Sequence, residues 1–154
     1  MTIQIENNEN CFVVEGKMSL PNQYFAGKIG SRFIISLRDD KKILGMKCEK
    51  CGKVFIPPRE YCEHCQTKLD ENWIELSSEG EITNFTVVNY NDKHLPAKAP
   101  YVLAQIKLQG ADTPLTHIIS GADPEDIRIG VRVKAVFAEK TVNTIMEIDH
   151  FETV

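Results

Sequence analysis

The stretch that decides the fold runs from residue 48 to residue 65 and reads CEKCGKVFIPPREYCEHC. It contains two Cys-x-x-Cys pairs with ten residues between them. In such a turn both thiolates point to one side, so each pair supplies half of a tetrahedron around one metal ion. Two facing turns form a closed four-sulfur site, which is structural rather than catalytic. The pattern predicts one structural zinc ion held by Cys48, Cys51, Cys62 and Cys65.

The same four sulfurs suit two other occupants, which are an iron ion in a rubredoxin-like site and a pair of disulfides. Against iron, Gln66 rather than a glycine follows the second pair, and nothing in the chain resembles a redox partner site. Colourless purified protein would decide against iron. His64 lies inside the second turn, where its side chain would point away from a metal bound by both flanking thiolates. Gly52 fits the backbone bend after the first pair.

Composition and compartment favour a soluble protein of a reducing compartment. Of the 154 residues, 42% are hydrophobic and 26% are charged, which is ordinary for a globular chain. The first ten residues are polar and acidic, unlike a signal peptide, and no apolar run is long enough to span a bilayer. In a reducing compartment, paired cysteine turns bind metals rather than form disulfides. We therefore expect a cytoplasmic protein without a membrane segment.

The charge is uneven along the chain, although the net value is only −4. Residues 1–73 contain 11 Lys or Arg and 10 Asp or Glu, whereas residues 74–154 contain 7 and 12. Phosphate contacts from basic side chains supply most nucleic-acid affinity. The acidic second half therefore opposes a nucleic-acid role.

The N-terminal region predicts a short helix and a hairpin. After Pro21, the residues Tyr24, Phe25 and Ile29 can share one face of a helix that stops at Gly30. This face either packs on the chain's own core or docks a partner. In residues 32–47, apolar residues alternate with others on both sides of Asp39-Asp40, which predicts a β-hairpin whose second strand leads into the first cysteine. A helix over 31–44 is the alternative, because short apolar runs are ambiguous.

Two further features of the N-terminal region concern residues 11–14. Cys11 to Val14 form a strand-like patch that ends at Gly16. Cys11 has no partner at metal-ligand spacing, and we interpret it as a small apolar residue or a free thiol rather than a reactive nucleophile.

Residues 73–154 predict a small closed barrel of five or six strands. Strand-forming stretches are separated by turn residues such as Asn, Asp, Gly and Pro, and Pro124–Ile129 is predicted as a short helix or turn. The predicted organisation is an arm with a short helix at 1–31, a zinc ribbon at 32–72 and a barrel at 73–154. The predicted strands are Trp73–Ser77, Gly80–Tyr90, Tyr101–Gln109, Leu115–Ser120, Val131–Glu139 and Val142–Ile148.

No catalytic constellation is recognisable in the sequence. It contains no phosphate-binding glycine run, no His-Glu-x-x-His and no Gly-x-Ser-x-Gly motif. A lone histidine is more often structural than catalytic, and the four here are scattered. They are His64, His94, His117 and His150. The pattern favours a non-catalytic partner or binding module.

The order of these parts resembles a known family. A short aromatic helix precedes a Cys-x-x-Cys-Gly…Pro-Pro-Arg…Cys-x-x-Cys ribbon, and a small barrel follows. The chain looks like the acyl-CoA-associated zinc-ribbon/OB-fold family over about residues 22–139. The residues that carry the resemblance are Cys48–Gly52, Pro57–Arg59, Cys62–Cys65, Gly80–Ile82, Thr86–Val88, Pro100–Ala104 and Ile129–Val133.

The resemblance implies a mainly β protein in which a rubredoxin-like zinc ribbon precedes an OB-fold barrel. It also implies a hetero-oligomer with a thiolase-like enzyme, a hydroxymethylglutaryl-CoA synthase or an acyl-CoA hydratase, in which the small subunit completes the enzyme and helps to hold an acyl-CoA thioester. One protein of the kind that the resemblance implies is the small subunit of a benzylsuccinate-pathway-type thiolase. No residue is assigned to coenzyme A. The alternatives are a single-stranded nucleic-acid-binding OB-fold protein and an independent enzyme acting on acyl-CoA thioesters.

Overall fold

The computed structural model describes residues 23–69 and 71–154. They form one α-helix, one turn of π-helix, one 3-10 turn and eight strands. The helix is α1 (Gly27–Ile35), continued by the π-turn Ser36–Asp40, and the 3-10 turn is Ile145–Glu147. The strands are β1 (Ile43–Lys47), β2 (Val54–Phe55), β3 (Trp73–Leu76), β4 (Glu79–Val88), β5 (Tyr101–Leu108), β6 (Leu115–Ile119), β7 (Arg132–Phe137) and β8 (Ile148–Thr153).

The fold is mostly β, with a ribbon sheet followed by a barrel. Strands β2, β1 and β3 form an antiparallel three-stranded sheet in that order. Strands β4 to β8 close into a barrel of order β4-β5-β6-β8-β7. All barrel pairings are antiparallel except β6 with β8, and β4 pairs with both β5 and β7. This is a five-stranded Greek-key barrel of the OB type. No helix within the described ranges has the length and apolarity needed to cross a membrane.

Barrel closure depends on a glycine in β4. Gly80 lies opposite both Leu108 of β5 and Val133 of β7, so two neighbouring strands approach it at once. A Cβ atom at this position would lie 2.5 Å from the carbonyl oxygen of Lys107. Only glycine lets the strands come this close. The Gly80–Ile82 stretch thus has a packing role in the barrel.

The predicted hairpin at 32–47 is wrong in its first half. Residues 27–40 are helical, and only the second predicted strand, β1, exists. Phe33 and Leu37 are four residues apart and both buried, because i and i+4 share one face of a helix. The alternation that favoured a strand was accidental, since Ile35 is 46% exposed. The helical alternative over 31–44 is closer to the structure.

A short helix before the ribbon is present as predicted, but its predicted end at Gly30 is wrong. Helix α1 begins at Gly27 and passes through Gly30 to Ile35. Tyr24 and Phe25 lie before the helix, in a segment without regular secondary structure, and therefore share no helical face with Ile29. The predicted strand patch Cys11–Val14 lies outside the described residues.

The last predicted strand, Val142–Ile148, is wrong as well. This segment is a loop and a 3-10 turn, and β8 starts only at Ile148. The reason is Glu147, which is fully buried and whose Oε1 accepts hydrogen bonds from the backbone N–H groups of Val142 (2.8 Å) and Asn143 (2.7 Å). A carboxylate that binds these backbone groups holds the segment in a loop. The Pro124–Ile129 segment is a turn, as one of the two predicted possibilities.

One continuous core joins α1, the ribbon sheet and the barrel. It contains Phe33 and Leu37 from the helical segment, Ile43 and Leu76 from the ribbon sheet, and the interior of the barrel. Burial of a large apolar side chain contributes about 1.5–3 kcal/mol. The strand at Trp73 belongs to this ribbon sheet, where Gly45 lies opposite Ile74. The three-part division at 31/32 and 72/73 stays a prediction.

Hydrogen bonds attach the ribbon to the loop between β5 and β6. The backbone N–H of Val54 donates to Asp112 Oδ2 (2.8 Å), and the N–H of Asp112 donates to the Val54 carbonyl (2.9 Å). The Thr113 hydroxyl accepts from the N–H of Ile56 (2.7 Å) and donates to its carbonyl (2.9 Å). These bonds satisfy the outer edge of β2, so the ribbon is fastened to the barrel.

Candidate metal centre and neighbouring surfaces

The first Cys-x-x-Cys turn follows β1 and leads into β2; we call it knuckle 1 (residues 47–53). The N–H of Cys48 donates to the carbonyl of Lys53 (2.8 Å), and the N–H of Gly52 donates to the carbonyl of Cys48 (2.8 Å). Gly52 has φ +75°, a left-handed conformation that glycine adopts without strain. The predicted bend after the first cysteine pair is confirmed.

The second turn, knuckle 2 (residues 59–68), repeats this geometry. The N–H of Cys62 donates to the carbonyl of Thr67 (2.9 Å), and the N–H of Gln66 donates to the carbonyl of Cys62 (2.8 Å). Gln66 takes the position of Gly52 and has φ +52°. The missing glycine, which counted against an iron site, therefore does not change the shape of the turn.

The two knuckles face each other and bring the four sulfurs together. The Sγ atoms of Cys48, Cys51, Cys62 and Cys65 all lie within 4.8 Å of one another, and those of Cys51 and Cys62 are 3.7 Å apart. Zn–S bonds of about 2.3 Å place tetrahedral sulfurs about 3.8 Å apart, so the residues fit a zinc ion. The backbone N–H of Cys65 donates to the Cys62 sulfur (3.3 Å), a contact that favours the thiolate.

The pKa values of these thiols indicate that the four-sulfur cluster needs a bound cation to hold all four as thiolates. A hydrogen bond from the backbone N–H of Cys51 lowers the pKa of Cys48 to about 6, which favours its thiolate at neutral pH. Burial, together with the neighbouring Cys51 and Cys62 sulfurs, raises the pKa of Cys65 to about 12. Four thiolates cannot coexist in one cluster without positive charge between them. A bound divalent metal would remove this conflict.

His64 is not one of the clustered ligands. Its ring Nδ1 lies 3.7 Å from the Cys65 sulfur, and the residue is exposed at the surface. The group of potential ligands within the described residues comprises the four cysteines alone.

A small apolar core supports the knuckles. Cys48 and Cys62 are buried with Met46, Phe55 and Leu69, whereas the other two cysteines are half-buried. Ile29 from α1 and Trp73 from β3 pack against this cluster. The first turn of α1 therefore contacts the metal module directly.

The Pro-Pro-Arg motif has a packing role in knuckle 2. The guanidinium carbon of Arg59 lies 4.8 Å from the centre of the Phe55 ring, a cation–π distance. The same guanidinium pairs with Glu63 at 2.7 Å. Arg59 thus ties the segment between the cysteine pairs to the core beneath it, a role that its place in the sequence did not indicate.

Two aromatic side chains before α1 remain uncovered. Tyr24 is 88% exposed and Phe25 is 91% exposed, so neither packs on the chain's own core. Tyr24 borders a crevice of about 620 Å³ between α1, the ribbon and the barrel. Its apolar lining includes Phe33, Ile34 and Leu115. We call Tyr24, Phe25 and this crevice the aromatic face.

Ion pairs hold the start of α1 beside the ribbon. Lys28 Nζ lies 2.6 Å from Glu71, and Arg32 lies 3.9 Å from the same carboxylate. The Arg32 guanidinium also stacks 4.7 Å from the centre of the Trp73 ring. Such exposed pairs contribute little to stability, but they fix the position of the start of α1 beside the ribbon. The aromatic face is thus carried on an anchored helix.

The other end of the helical segment is anchored to the barrel. Arg38 donates to Asn143 Oδ1 (3.0 Å), and Lys41 Nζ donates to the Ala138 carbonyl (3.2 Å). Lys41 Nζ also lies 3.9 Å from Glu147 Oε2. A buried carboxylate needs such partners, and no sequence motif indicated Glu147.

The remaining histidines are separate from the cysteine cluster. His94 is in the β4–β5 loop, and His150 Nδ1 lies 2.7 Å from Asp149 at the surface. His117 lies within β6 as predicted, is only 3% exposed, and neither ring nitrogen has a hydrogen-bond partner among the described residues. Its ring packs edge-on against Phe151, and burial lowers its pKa. His117 is a core residue of the barrel.

A four-cysteine ribbon joined to a closed five-stranded barrel defines a zinc-ribbon/OB-fold protein. Family descriptions agree with both parts. Residues 36–70 match "ChsH2, rubredoxin-like zinc ribbon domain", and residues 73–138 match "ChsH2, C-terminal OB-fold domain".

Curated relatives narrow the assignment to one family. A DUF35 domain-containing scaffold protein of Methanocaldococcus jannaschii is 38% identical over 95 residues, which cover 62% of this chain and 67% of the relative. A protein of the same description from Methanothermobacter thermautotrophicus is 34% identical over 95 residues, covering 62% and 71%. The chain belongs to the DUF35 family.

Solved structures share the fold. A DUF35-family protein of unknown function from Sulfolobus solfataricus superposes with a TM-score of 0.61 at 26% identity, covering 82% of this chain and 84% of that one. A chain of the structure described as "Ltp2-ChsH2(DUF35) aldolase" superposes with a TM-score of 0.58 at 23% identity, covering 74% and 87%. The second likeness concerns the fold alone.

Proposed function

We propose that this protein is a non-catalytic scaffold subunit of an acyl-CoA-processing enzyme complex with a thiolase-like partner. The curated relatives are described as scaffold proteins. A chain of the same fold occurs in the structure described as an Ltp2-ChsH2(DUF35) aldolase. The acyl-CoA partner is part of the proposal and rests on the family resemblance of the sequence.

The aromatic face is the observation that carries this proposal. Isolated apolar side chains are common on protein surfaces, but Tyr24 and Phe25 are adjacent and almost fully exposed, and Tyr24 borders an apolar crevice. Aromatic side chains next to a crevice are frequent anchors of protein interfaces, because they bury a large area with few rotatable bonds. Of the two interpretations of these aromatics, partner docking is the one that their exposure supports.

The proposed role of the metal is to position this face. Zinc bound by Cys48, Cys51, Cys62 and Cys65 would leave no open coordination site, so it would stabilise structure and perform no chemistry. Ile29 of α1 packs on the core that these cysteines complete. Loss of the metal should therefore displace α1 and, with it, the aromatic face. Reduced cysteines at metal-binding spacing suit the cytoplasm, which is the proposed location.

The acyl-CoA thioester is proposed to lie at the joint between the two proteins. In this arrangement the partner supplies the catalytic groups, and the present chain completes the binding surface. The expected result is that coenzyme A binds the complex with measurable heat and binds the isolated chain far more weakly. Calorimetry with both samples measures this difference, and equal binding by the isolated chain would contradict a shared site.

Co-purification tests the proposed function. The full chain, carrying a tag and produced in its native host, should retain a thiolase-type or related acyl-CoA enzyme in stoichiometric amount, identified by mass spectrometry. Recovery as a lone monomer, with no such enzyme in any fraction, would contradict the proposal. Turnover of acyl-CoA thioesters by the purified chain alone would favour the independent-enzyme alternative instead.

A matched pair of double variants then tests the aromatic face. Tyr24→Ala with Phe25→Ala should leave the melting temperature unchanged and weaken the complex at least about tenfold, since interface anchors typically contribute 1–2 kcal/mol or more. The control replaces two other exposed side chains, Tyr90 (65% exposed) and Ile129 (67% exposed), with Ala. Equal affinities of both double variants for the partner would exclude the aromatic face as the docking site.

A further inference from the structure

The basic side chains around the two knuckles differ in their pairing. Arg59 and Lys68 of knuckle 2 are paired with Glu63 (2.7 Å) and Glu60 (3.1 Å), which leaves that turn locally neutral. Knuckle 1 carries three exposed lysines around its cysteine pair and one glutamate. These lysines are Lys47, Lys50 and Lys53.

The three lysines stand out from the other cations of the helix and ribbon. Within the described residues, their ammonium groups form no ion pair or hydrogen bond. The other seven Lys and Arg residues between 23 and 69 all lie in ion pairs of 2.6–3.9 Å. Unpaired positive charge in this part of the chain is thus concentrated on one turn.

The charge of the barrel has the opposite sign. Residues 79–154 contain seven Lys or Arg and eleven Asp or Glu. A molecule with an exposed basic turn and an acidic barrel is oriented by the field of a charged partner before contact. An acidic surface attracts knuckle 1 and repels the barrel, so the charges select one approach.

The shape of knuckle 1 favours a protein surface over a small anion. A phosphate-containing ligand needs a concave site with converging donors. The cleft of about 620 Å³ beside the ribbon is lined by Lys28 and by Arg59 and Lys68 of knuckle 2, and it contains none of the three lysines. Lys47, Lys50 and Lys53 lie on an exposed turn, which can enter a shallow acidic depression on a partner.

We propose that knuckle 1 docks, through Lys47, Lys50 and Lys53, on an acidic patch of Asp and Glu side chains on the partner enzyme. This inference rests on the proposed scaffold function and adds the chemistry of the surface that the partner presents. The four cysteines hold the turn in shape, and the lysines supply the charge. Opposite charges that meet at the rim of a protein interface mainly raise the association rate and fix the orientation of the partners. The association rate should therefore depend on salt.

The test uses the full zinc-loaded chain and the acyl-CoA enzyme that co-purifies with it, produced separately. Association rates are measured by biolayer interferometry at about 50 mM and about 500 mM salt, where screening differs strongly. The variant Lys47→Glu/Lys50→Glu/Lys53→Glu should associate at least about tenfold more slowly at low salt, with a smaller difference at high salt. The corresponding Lys→Gln triple should slow association less.

The control makes the same charge change on the barrel. Lys107→Glu/Lys134→Glu/Lys140→Glu alters three exposed lysines and should change the association rate by less than about threefold. Zinc content and melting temperature are measured for every variant, and the Gln triple keeps the test valid if charge reversal disturbs the knuckle. Equal slowing by both Glu triples, or no slowing by the knuckle 1 variants, would overturn the inference.

The remaining outcomes also decide the question. Knuckle 1 lysines that are needed for self-association, or for salt-dependent binding of a single-stranded oligonucleotide with no effect on the enzyme, would overturn the acidic-patch inference. If no acyl-CoA enzyme co-purifies with the wild-type chain, the proposed function fails and this inference fails with it. A complex that forms equally well with the knuckle 1 triples overturns this inference alone.

Discussion

The knuckle end of the ribbon and the barrel bury side chains to very different extents. Among the described residues, the buried cluster beneath the knuckles contains five, two of which are cysteines. The main core contains nineteen of the described residues and unites the barrel with α1 and the far end of the ribbon sheet. A cluster of five residues buries too little apolar surface to offset the chain entropy of two turns. The comparison teaches that a metal bound by the four cysteines would take the place of a larger core beneath the knuckles, whereas the barrel needs no such support.

Metal removal should produce the largest effect and separate the two regions. Structural zinc is worth on the order of 10 kcal/mol in small modules, so a strong chelator or Cys62→Ser should unfold the knuckles. Trp73, the single tryptophan, packs on the knuckle cluster, so its fluorescence reports this region. Far-UV circular dichroism should show the barrel strands retained. If metal loss is demonstrated and neither the fluorescence nor the circular dichroism changes, the knuckles do not depend on the metal more than the barrel does.

Truncation of a barrel side chain should have the opposite signature. Phe151 is fully buried between β6 and β7, and Phe151→Ala should lower the free energy of unfolding by about 3–5 kcal/mol. The loss arises from lost burial and a cavity, so it should appear with and without zinc. Denaturant unfolding followed by circular dichroism measures it, with the exposed Ile129→Ala as a control. A loss that vanishes without zinc would show that the two regions share one cooperative unit.

Acid should weaken the barrel through His117. Burial disfavours the imidazolium and lowers the pKa of His117 below its ordinary 6.5. The unfolded chain therefore binds a proton that the folded barrel does not, and the free energy of unfolding falls as the pH drops below about 6.5. The slope is at most about 1.4 kcal/mol per pH unit, down to the lowered pKa of the folded state.

The variant His117→Leu isolates this contribution. Its stability should fall less steeply between pH 6.5 and 5 than that of the wild type, when the barrel is followed by circular dichroism. The titration of the cysteines is common to both proteins and cancels in the difference. Identical slopes would show that the buried ring does not carry the pH dependence.

Removing the glycine of knuckle 1 and introducing one in knuckle 2 should shift stability in opposite directions, and this is the smallest expected effect. Gly52→Ala places a Cβ at φ +75° with no atom within 4 Å, so only backbone strain of about 1 kcal/mol should appear. Gln66→Gly relieves the corresponding strain and should stabilise knuckle 2 by about 0.5 kcal/mol. Trp73 fluorescence during thermal melting of the zinc-loaded protein measures both. Shifts of the same sign would show that the knuckles are not equivalent.

The clustering of the four cysteines was the most predictable part of the molecule. The spacing of Cys48, Cys51, Cys62 and Cys65 indicated two facing turns, and a local turn depends on few residues outside it. The series of β-branched and aromatic stretches after residue 73 likewise indicated a barrel, because period-two patterns survive in strands that bury one face. Both signals are contained in short sequence windows.

The errors occurred where distant contacts decide the local structure. Phe33 to Leu37 reads equally well as a strand or a helix, and only its burial against Ile43 and the barrel core selects the helix. Residues 142–147 resemble a strand, but the buried Glu147 binds the backbone of its own loop and lies near Lys41 of the helical segment. No pattern in one window contains this information.

The sequence by itself determined that four thiols would meet and that a small β-barrel would follow, since turn chemistry and side-chain alternation are local. Only the tertiary structure decided that α1 joins the ribbon to the barrel, that Tyr24 and Phe25 are exposed, and that the lysines of knuckle 1 have no ion-pair partner among the described residues. Exposure and pairing depend on which surfaces meet in three dimensions. For a protein proposed to act by docking, those surfaces carry the function.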